Sequence, residues 1–354
     1  MNKKIVVYLL FVMCLCLTFS ITKPTNISDA DAVSEIVMET TSHRVVYENN
    51  IHAKKYMAST TKILTAITVI ENCDIEEEVT VTEQSIGIEG SSIYLEAGEK
   101  LSVKDLLYGL MLRSGNDCAE TLALHISGSI NNFADLMNKT AEKIGCKNSN
   151  FVNPHGLHSD NHYTTAYDLA LIAVYAMKNP VFRQIVSSKS YTIPFTTRNT
   201  KRVLINKNRM LKEFYGATGI KTGFTKKAGR CLVSSCKRNG MEFVCVVLNC
   251  PSMFERSKEL LTNSFNKYSL YKLVESDNVI DFIEQSETKE KLAVYIKNDI
   301  TLPLTEEEFK TVKTVYELPK SLPGNVTKND IIGFIKIYYQ NNLLFTEKIY
   351  TMIP

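Results

Sequence analysis

Ser59 and Lys62 stand three residues apart in Met57-Ala58-Ser59-Thr60-Thr61-Lys62-Ile63, where a helical pattern begins with Ile63, Leu64, Ile67 and Ile70. That spacing places a hydroxyl and an ammonium on one helix face, one turn apart. A serine hydroxyl is a weak nucleophile until a base takes its proton. A lysine serves as that base only when burial or a neighbouring cation depresses its pKa. The N–H groups at the helix start, unpaired within the helix, offer a place where an oxyanion can form. Taken alone, the string equally describes a capping serine followed by a surface lysine. Two later clusters change its weight. Ser114-Gly115-Asn116 follows a helix pattern ending near Leu112, and Lys221-Thr222-Gly223 sits in a strand-like segment followed by Phe224-Thr225. Ser114 can relay a proton between Ser59 and a leaving amine, and Asn116 can hydrogen-bond a substrate amide. Lys221 supplies a positive charge that binds a carboxylate and helps keep Lys62 neutral. Gly223, having no side chain, lets a peptide lie along the strand edge. Three weak motifs in this order and at this spacing make one strong signal.

The elements that must position them come in blocks. Lys3, Lys4 and the uncharged run Ile5 to Phe19 read as an export signal, the run of about 15 residues being short for a membrane span of about 20. Residues 1–28 are therefore assigned to a signal peptide. Ile36-Val37-Met38 and Val45-Val46-Tyr47 predict two short strands. Helices are predicted after Ser59, over Val103 to Met111 with Ser102 as N-cap, and over Thr121 to Ile126, Phe133 to Ile144 and Thr165 to Met177. Strands follow over Gly219 to Phe224, Gly229 to Lys237 and Met241 to Leu248, the last two joined at Asn239-Gly240. Ser257 to Leu273 reads as helix again. Beyond it, short strands at Lys291 to Ile296, Val312 to Glu317, Ile331 to Tyr339 and Leu343 to Tyr350 are punctuated by Pro303, Pro319, Pro323 and Gly324. The expected class is α+β: an antiparallel sheet with a helical cluster over 29–274, then a small all-β domain over 275–354.

Composition narrows the function classes. Of 354 residues, 44% are hydrophobic and 22% charged, which excludes a disordered or multi-span membrane chain. A formal charge of +3, part of it in the signal segment, leaves no electrostatic footprint for nucleic acid. Nine cysteines become seven once Cys14 and Cys16 leave with the signal, an odd number that forbids a fully paired disulfide framework.

The order Ser-x-x-Lys, Ser-x-Asn, Lys-Thr-Gly resembles that of penicillin-interacting serine enzymes. Over most of its length the chain resembles the low-molecular-mass penicillin-binding proteins, serine-type D-Ala-D-Ala carboxypeptidases that trim peptidoglycan stem peptides. The likeness includes Ile36-Val37-Met38-Glu39, Val45-Val46-Tyr47-Glu48, Leu112-Arg113-Ser114-Gly115-Asn116-Asp117, Phe151-Val152-Asn153-Pro154-His155-Gly156-Leu157 and Gly219-Ile220-Lys221-Thr222-Gly223. It implies that Ser59 is the acyl-enzyme nucleophile, Lys62 its proton acceptor and Ser114 the third catalytic side chain. It further implies that Asn116, Lys221, Thr222, Gly223 and Phe224 bind substrate, Lys221 taking the terminal carboxylate. The N–H groups of Ser59 and Phe224 would form the oxyanion hole. The implied enzyme uses neither cofactor nor metal, works outside the cytoplasm on stem pentapeptides, and is acylated by β-lactams. Many relatives carry a C-terminal amphipathic anchor helix. This chain stops at Pro354 directly after a strand-like segment, so membrane association through such a helix is not expected.

Rival readings are weaker. A class A β-lactamase would carry Glu-x-x-Leu-Asn between the second and third motifs, and none occurs between Asn116 and Lys221. Endopeptidase or transpeptidase action on cross-links uses the same acyl-enzyme, and a penicillin sensor would keep the motifs without turnover. A zinc peptidase built on His155, His158, Asp160 and His162 lacks His-Glu-x-x-His. Cys231, Cys236, Cys245 and Cys250 cannot converge on zinc, because residues five apart on a strand point to opposite faces. A cross-strand disulfide depends on register: an Asn239-Gly240 turn misaligns the cysteines, whereas a Gly240-Met241 turn would set Cys236 opposite Cys245 and Cys231 opposite Cys250. Free thiols are expected, since buried cysteine packs as a small apolar residue.

Overall fold

A computed structural model describes residues 32–194, 201–276 and 278–352; the signal segment at 1–28, with Lys3, Lys4, Cys14 and Cys16, lies outside the described residues. Strands β1 (Ser34–Glu39) and β2 (Val45–Asn49) open it, and a 3₁₀ turn at Ala58–Thr61 runs directly into α1 (Lys62–Asn72). Short β3 (Glu78–Thr80) and β4 (Lys100–Ser102) pair. Then α2 (Val103–Tyr108), capped by Ser102 and Asp105, widens into a π turn at Gly109–Arg113. Helices α3 (Asn116–Ser127), α4 (Ile130–Ile144), α5 (Ala166–Met177) and α6 (Pro180–Ser187) complete a helical cluster. A ribbon of β5 (Ser190–Ile193) and β6 (Arg202–Ile205) and a single turn, α7 (Met210–Glu213), lead to β7 (Ala217–Thr225), β8 (Gly229–Arg238), β9 (Met241–Leu248) and α8 (Met253–Lys267).

The central sheet is antiparallel in the order β2-β1-β9-β8-β7, which leaves one side of β7 open. Alternation sorts its side chains onto two faces. Ile36, Met38, Cys231, Val233, Val244 and Val246 join the core under the helical cluster, while Val37, Leu232, Cys236, Phe243, Cys245 and Val247 pack beneath α8. All eight residues of β9 are buried, as a central strand covered on both faces must be. Asn239 and Gly240 both have positive φ, at 49° and 80°, and close a two-residue hairpin that sets Arg238 opposite Met241. That register puts Cys236 across from Phe243 and Ser234 across from Cys245, so the strand cysteines meet no partners. All seven cysteines among the described residues are free thiols.

The helix predicted from Ser257 to Leu273 begins earlier and ends at Lys267. From Ser269 to Val274 the chain is a strand, β10, paired with β13 (Ile300–Leu304). The segment Ser269-Leu270-Tyr271-Lys272-Leu273-Val274 alternates, with Tyr271 and Leu273 turned inward, and this two-residue period wins once α8 has left its sheet. With β11 (Asp281–Glu284), β12 (Lys291–Tyr295), α9 (Glu306–Thr311), β14 (Lys313–Glu317), β15 (Ile331–Tyr339) and β16 (Asn342–Met352), these strands form a C-terminal β unit. Its five-stranded sheet runs β11-β12-β16-β15-β14 around a separate aliphatic core that includes Val294, Ile296, Ile335, Ile337 and Ile349. Arg44, at the β1–β2 turn, joins the two units: its guanidinium makes a two-pronged pair with Glu308 of α9 and lies 5.4 Å from the centre of the Tyr268 ring.

Candidate active site

The turn that carries Ser59 is tied by its own residues. Thr60 Oγ1 donates to the Met57 carbonyl at 2.6 Å and Thr61 Oγ1 to the Ala58 carbonyl at 2.8 Å. Ala58 is held at φ +48°, a left-handed conformation that a non-glycine residue adopts at a cost and that clusters at functional sites. Two glycines let neighbouring backbone close on this turn. A Cβ on Gly223 would lie 3.0 Å from the Met57 carbonyl and 3.1 Å from the Ser59 nitrogen, and one on Gly156 would collide with the Ala58 carbonyl. The missing side chain of Gly223 therefore makes room first for the Ser59 turn.

Lys62 begins α1 and is fully buried. Its Nζ lies 3.1 Å from Ser59 Oγ, 2.7 Å from Asn116 Oδ1 and 2.6 Å from the His155 carbonyl. The last two can only accept. They occupy two N–H bonds of an amine and leave its lone pair for the Ser59 hydroxyl. Burial, and then the charge of Lys221, push Lys62 well below the usual lysine range. A neutral amine facing Ser59 is the form a general base needs.

The second motif reaches this centre through the π turn. Ser114 follows it in the left-handed region at φ +66° and is buried. The Gly115 N–H donates back to the Gly109 carbonyl at 3.1 Å, and Asn116 starts α3 with its own N–H on the Ser91 carbonyl at 2.7 Å. Helix α3 thus begins five residues before the pattern at Thr121 predicted, which puts Asn116 on the helix itself. Beside it, Asp117 fastens the wall of the site: its carboxylate accepts from the N–H groups of Ile93 and Leu95, each at 3.1 Å, and from Ser92 Oγ.

The third motif lies on β7 at the sheet's open edge. Lys221 is buried, donates to the Thr222 carbonyl at 3.0 Å, and is lowered to about 7 by burial and then by the charge of Lys207. Lys207 reaches across the mouth, its Nζ on Ser91 Oγ at 3.1 Å and its backbone N–H on the Leu112 carbonyl. Thr222 is half-buried, and Phe224 stands 60% exposed at the rim with Arg230 above its ring.

The dense histidines serve the scaffold. His155 Nε2 pairs with Glu120 at 3.0 Å. His162 bridges Thr61 Oγ1 at 2.8 Å and the Val152 N–H at 3.1 Å, and burial lowers it to about 3. His158 lies 3.4 Å from Asp160. The His155 carbonyl, a site group in its own right, carried no signal in residue type.

Residues 19–252 match the family model "D-alanyl-D-alanine carboxypeptidase" and residues 268–352 match "Penicillin-binding protein 5, C-terminal domain". The chain belongs to the serine-type D-alanyl-D-alanine carboxypeptidase family. It is 32% identical to the D-alanyl-D-alanine carboxypeptidase DacA of Haemophilus influenzae, covering 91% of this chain and 83% of that one. Against DacF of Bacillus subtilis the identity is 29%, covering 89% and 83%. Its fold superposes on the crystal structure of penicillin-binding protein 5 from Haemophilus influenzae with a TM-score of 0.76 at 28% identity, covering 90% and 96% of the two chains. The α+β class and the C-terminal all-β domain agree with those relatives.

Proposed function

We propose that Ser59 attacks the carbonyl of the penultimate D-alanine of a peptidoglycan stem pentapeptide and that Lys62 takes the hydroxyl proton. Lys221, in its charged form, binds the terminal carboxylate, while Asn116 and the β7 edge from Thr222 to Phe224 align the peptide. The oxyanion rests on the N–H groups of Ser59 and Phe224. The proton taken up by Lys62 passes through Ser114 to the departing amine and the last D-alanine leaves; water then adds to the acyl-serine, its proton returning to Ser59 Oγ as the shortened peptide is released. One observation carries this reading: Lys62 Nζ lies 3.1 Å from Ser59 Oγ, while Asn116 Oδ1 and the His155 carbonyl, which can only accept, stand where they would take the two N–H bonds of a neutral amine. A β-lactam presents a similar acyl group and is read as an inhibitor that acylates the same serine. The Lys3–Phe19 pattern supports export to the outer face of the cytoplasmic membrane or the cell wall, and no helix among the described residues is long and apolar enough to cross a membrane. The change of core after α8 supports two domains, the C-terminal one accessory to the chemistry.

Incubation with a labelled penicillin and mapping of the adduct tests the assignment. Label on Ser59 is expected, and label elsewhere, or none on folded protein, sinks it. Release of D-alanine from a pentapeptide then separates a carboxypeptidase from a sensor.

A further inference from the structure

Two of the three polar neighbours of Lys62 Nζ are tied to one helix. Asn116, the first residue of α3, accepts directly at 2.7 Å. The other acceptor, the His155 carbonyl at 2.6 Å, belongs to an irregular loop, and a loop carbonyl keeps its direction only where the surrounding peptide is fastened. Asn153 Oδ1 accepts from the N–H groups of His155 at 3.3 Å and Gly156 at 2.7 Å, and Thr65 Oγ1 on α1 donates to the Pro154 carbonyl at 2.6 Å. The His155 ring is held from both sides. Its Nδ1 accepts from the Leu157 N–H at 3.1 Å, which leaves Nε2 protonated and directed at Glu120 Oε1, 3.0 Å away. Glu120 follows Asn116 by one turn of α3, on the same face. Glu120 is 8% exposed and His155 6%, and His155 Nε2 is the only hydrogen-bond partner of this carboxylate among the described residues. A carboxylate is costly to hold there unless the pairing does something.

We infer that Glu120 is a positioning residue for the reaction: through the His155 ring it holds the His155 carbonyl against Lys62, so that α3 fixes both acceptors and keeps the lone pair on Ser59. The inference rests on Lys62 being the proton acceptor. Glu120 itself touches neither Ser59 nor the β7 edge. An alanine in its place leaves a buried imidazole N–H without an acceptor and removes the tie between the His155 ring and α3, so the carbonyl keeps only the Asn153 and Thr65 ties on its loop.

The test follows acylation of the full chain by labelled penicillin over a range of drug concentrations, which separates affinity from the first-order acylation step, with a melting temperature for every variant. Glu120→Ala is expected to slow the acylation step at least tenfold while affinity stays within twofold. Glu120→Gln, which keeps an acceptor for Nε2–H, is expected to recover most of the rate. A native rate in Glu120→Ala overturns the inference. So does an equal loss in both variants, or a loss carried by affinity alone. Should Glu120→Ala melt below the assay temperature, Glu120→Asp replaces it: it keeps the charge, shortens the reach by one methylene, and must fall below Glu120→Gln in rate. Failure of the underlying reading looks different, because the unmodified chain is then not labelled at Ser59, and the inference falls with it.

Discussion

The catalytic unit and the C-terminal β unit both have apolar cores, but only the first surrounds a cluster of buried, mutually paired polar groups at the Ser59 turn. Beneath the Ser59 turn lie buried Lys62, Asn116, Glu120, His155 and Lys221, with their partners supplied by loops and helix starts. The core of the C-terminal unit is aliphatic, drawn largely from alternate positions of its strands. An apolar core is the cheaper way to hold a fold, since buried polar groups stabilise little beyond the cost of taking them out of water. The acceptors gathered around Lys62 therefore mark where geometry serves chemistry. The partly buried charge pair of Arg44 with Glu308 joins the units and serves attachment.

The sharpest way to break this contrast is Lys62→Ala. Loss of a general base is expected to lower the acylation rate of Ser59 by about 10³-fold, with folding retained, as read by labelled penicillin. Next comes Lys221→Ala, expected to lower kcat/KM for a carboxylate-bearing peptide by roughly 10²-fold through loss of a charge-assisted hydrogen bond. Its sign with pH is also set. A lysine held at about 7 in the free enzyme loses its charge as pH rises, so kcat/KM for that peptide falls above neutrality. Lys221→Arg stays charged and should move that fall to higher pH. The smallest effect on chemistry is expected from Arg44→Ala, which strands Glu308. Melting should report a loss of about 1–3 kcal/mol, while penicillin acylation stays within twofold. A large fall in acylation would instead make the C-terminal unit part of the catalytic machinery.

Much of the site was legible because its chemistry is carried by residue types. Spacing and order led to the expectation that Ser59, Lys62, Ser114, Asn116 and Lys221 supply a nucleophile, a base, a relay and a carboxylate site, and the structure brings Ser59 and Asn116 within hydrogen-bond reach of Lys62. The strands β7 to β9 were legible from β-branched residues and the Asn239-Gly240 turn, and the same turn misaligned the cysteines as its geometry demands. What stayed hidden is carried by backbone or by distant side chains. The His155 carbonyl is an acceptor that any residue would supply, and Glu120 becomes informative only when the fold sets it against an imidazole. Gly223 read as clearance for a peptide, whereas its lack of a Cβ first serves the approach of β7 to the Ser59 turn. The ends of α3 and α8 escaped for a local reason: Asn116 to Glu120 are buried by tertiary packing without an amphipathic pattern, and Ser269 to Val274 carry enough apolar residues to extend a helical count.

The most direct test of a neutral Lys62 aimed at Ser59 is the pH dependence of Ser59 acylation by penicillin, measured on the unmodified chain and on Lys221→Gln. The rate should rise as Lys62 loses its proton at a pH well below the ordinary lysine value of 10.5. Removing the Lys221 cation should move that rise to higher pH, because burial then acts on Lys62 without the added repulsion of Lys221. A rate that climbs only near 10.5, or a profile unmoved by Lys221→Gln, would contradict the account.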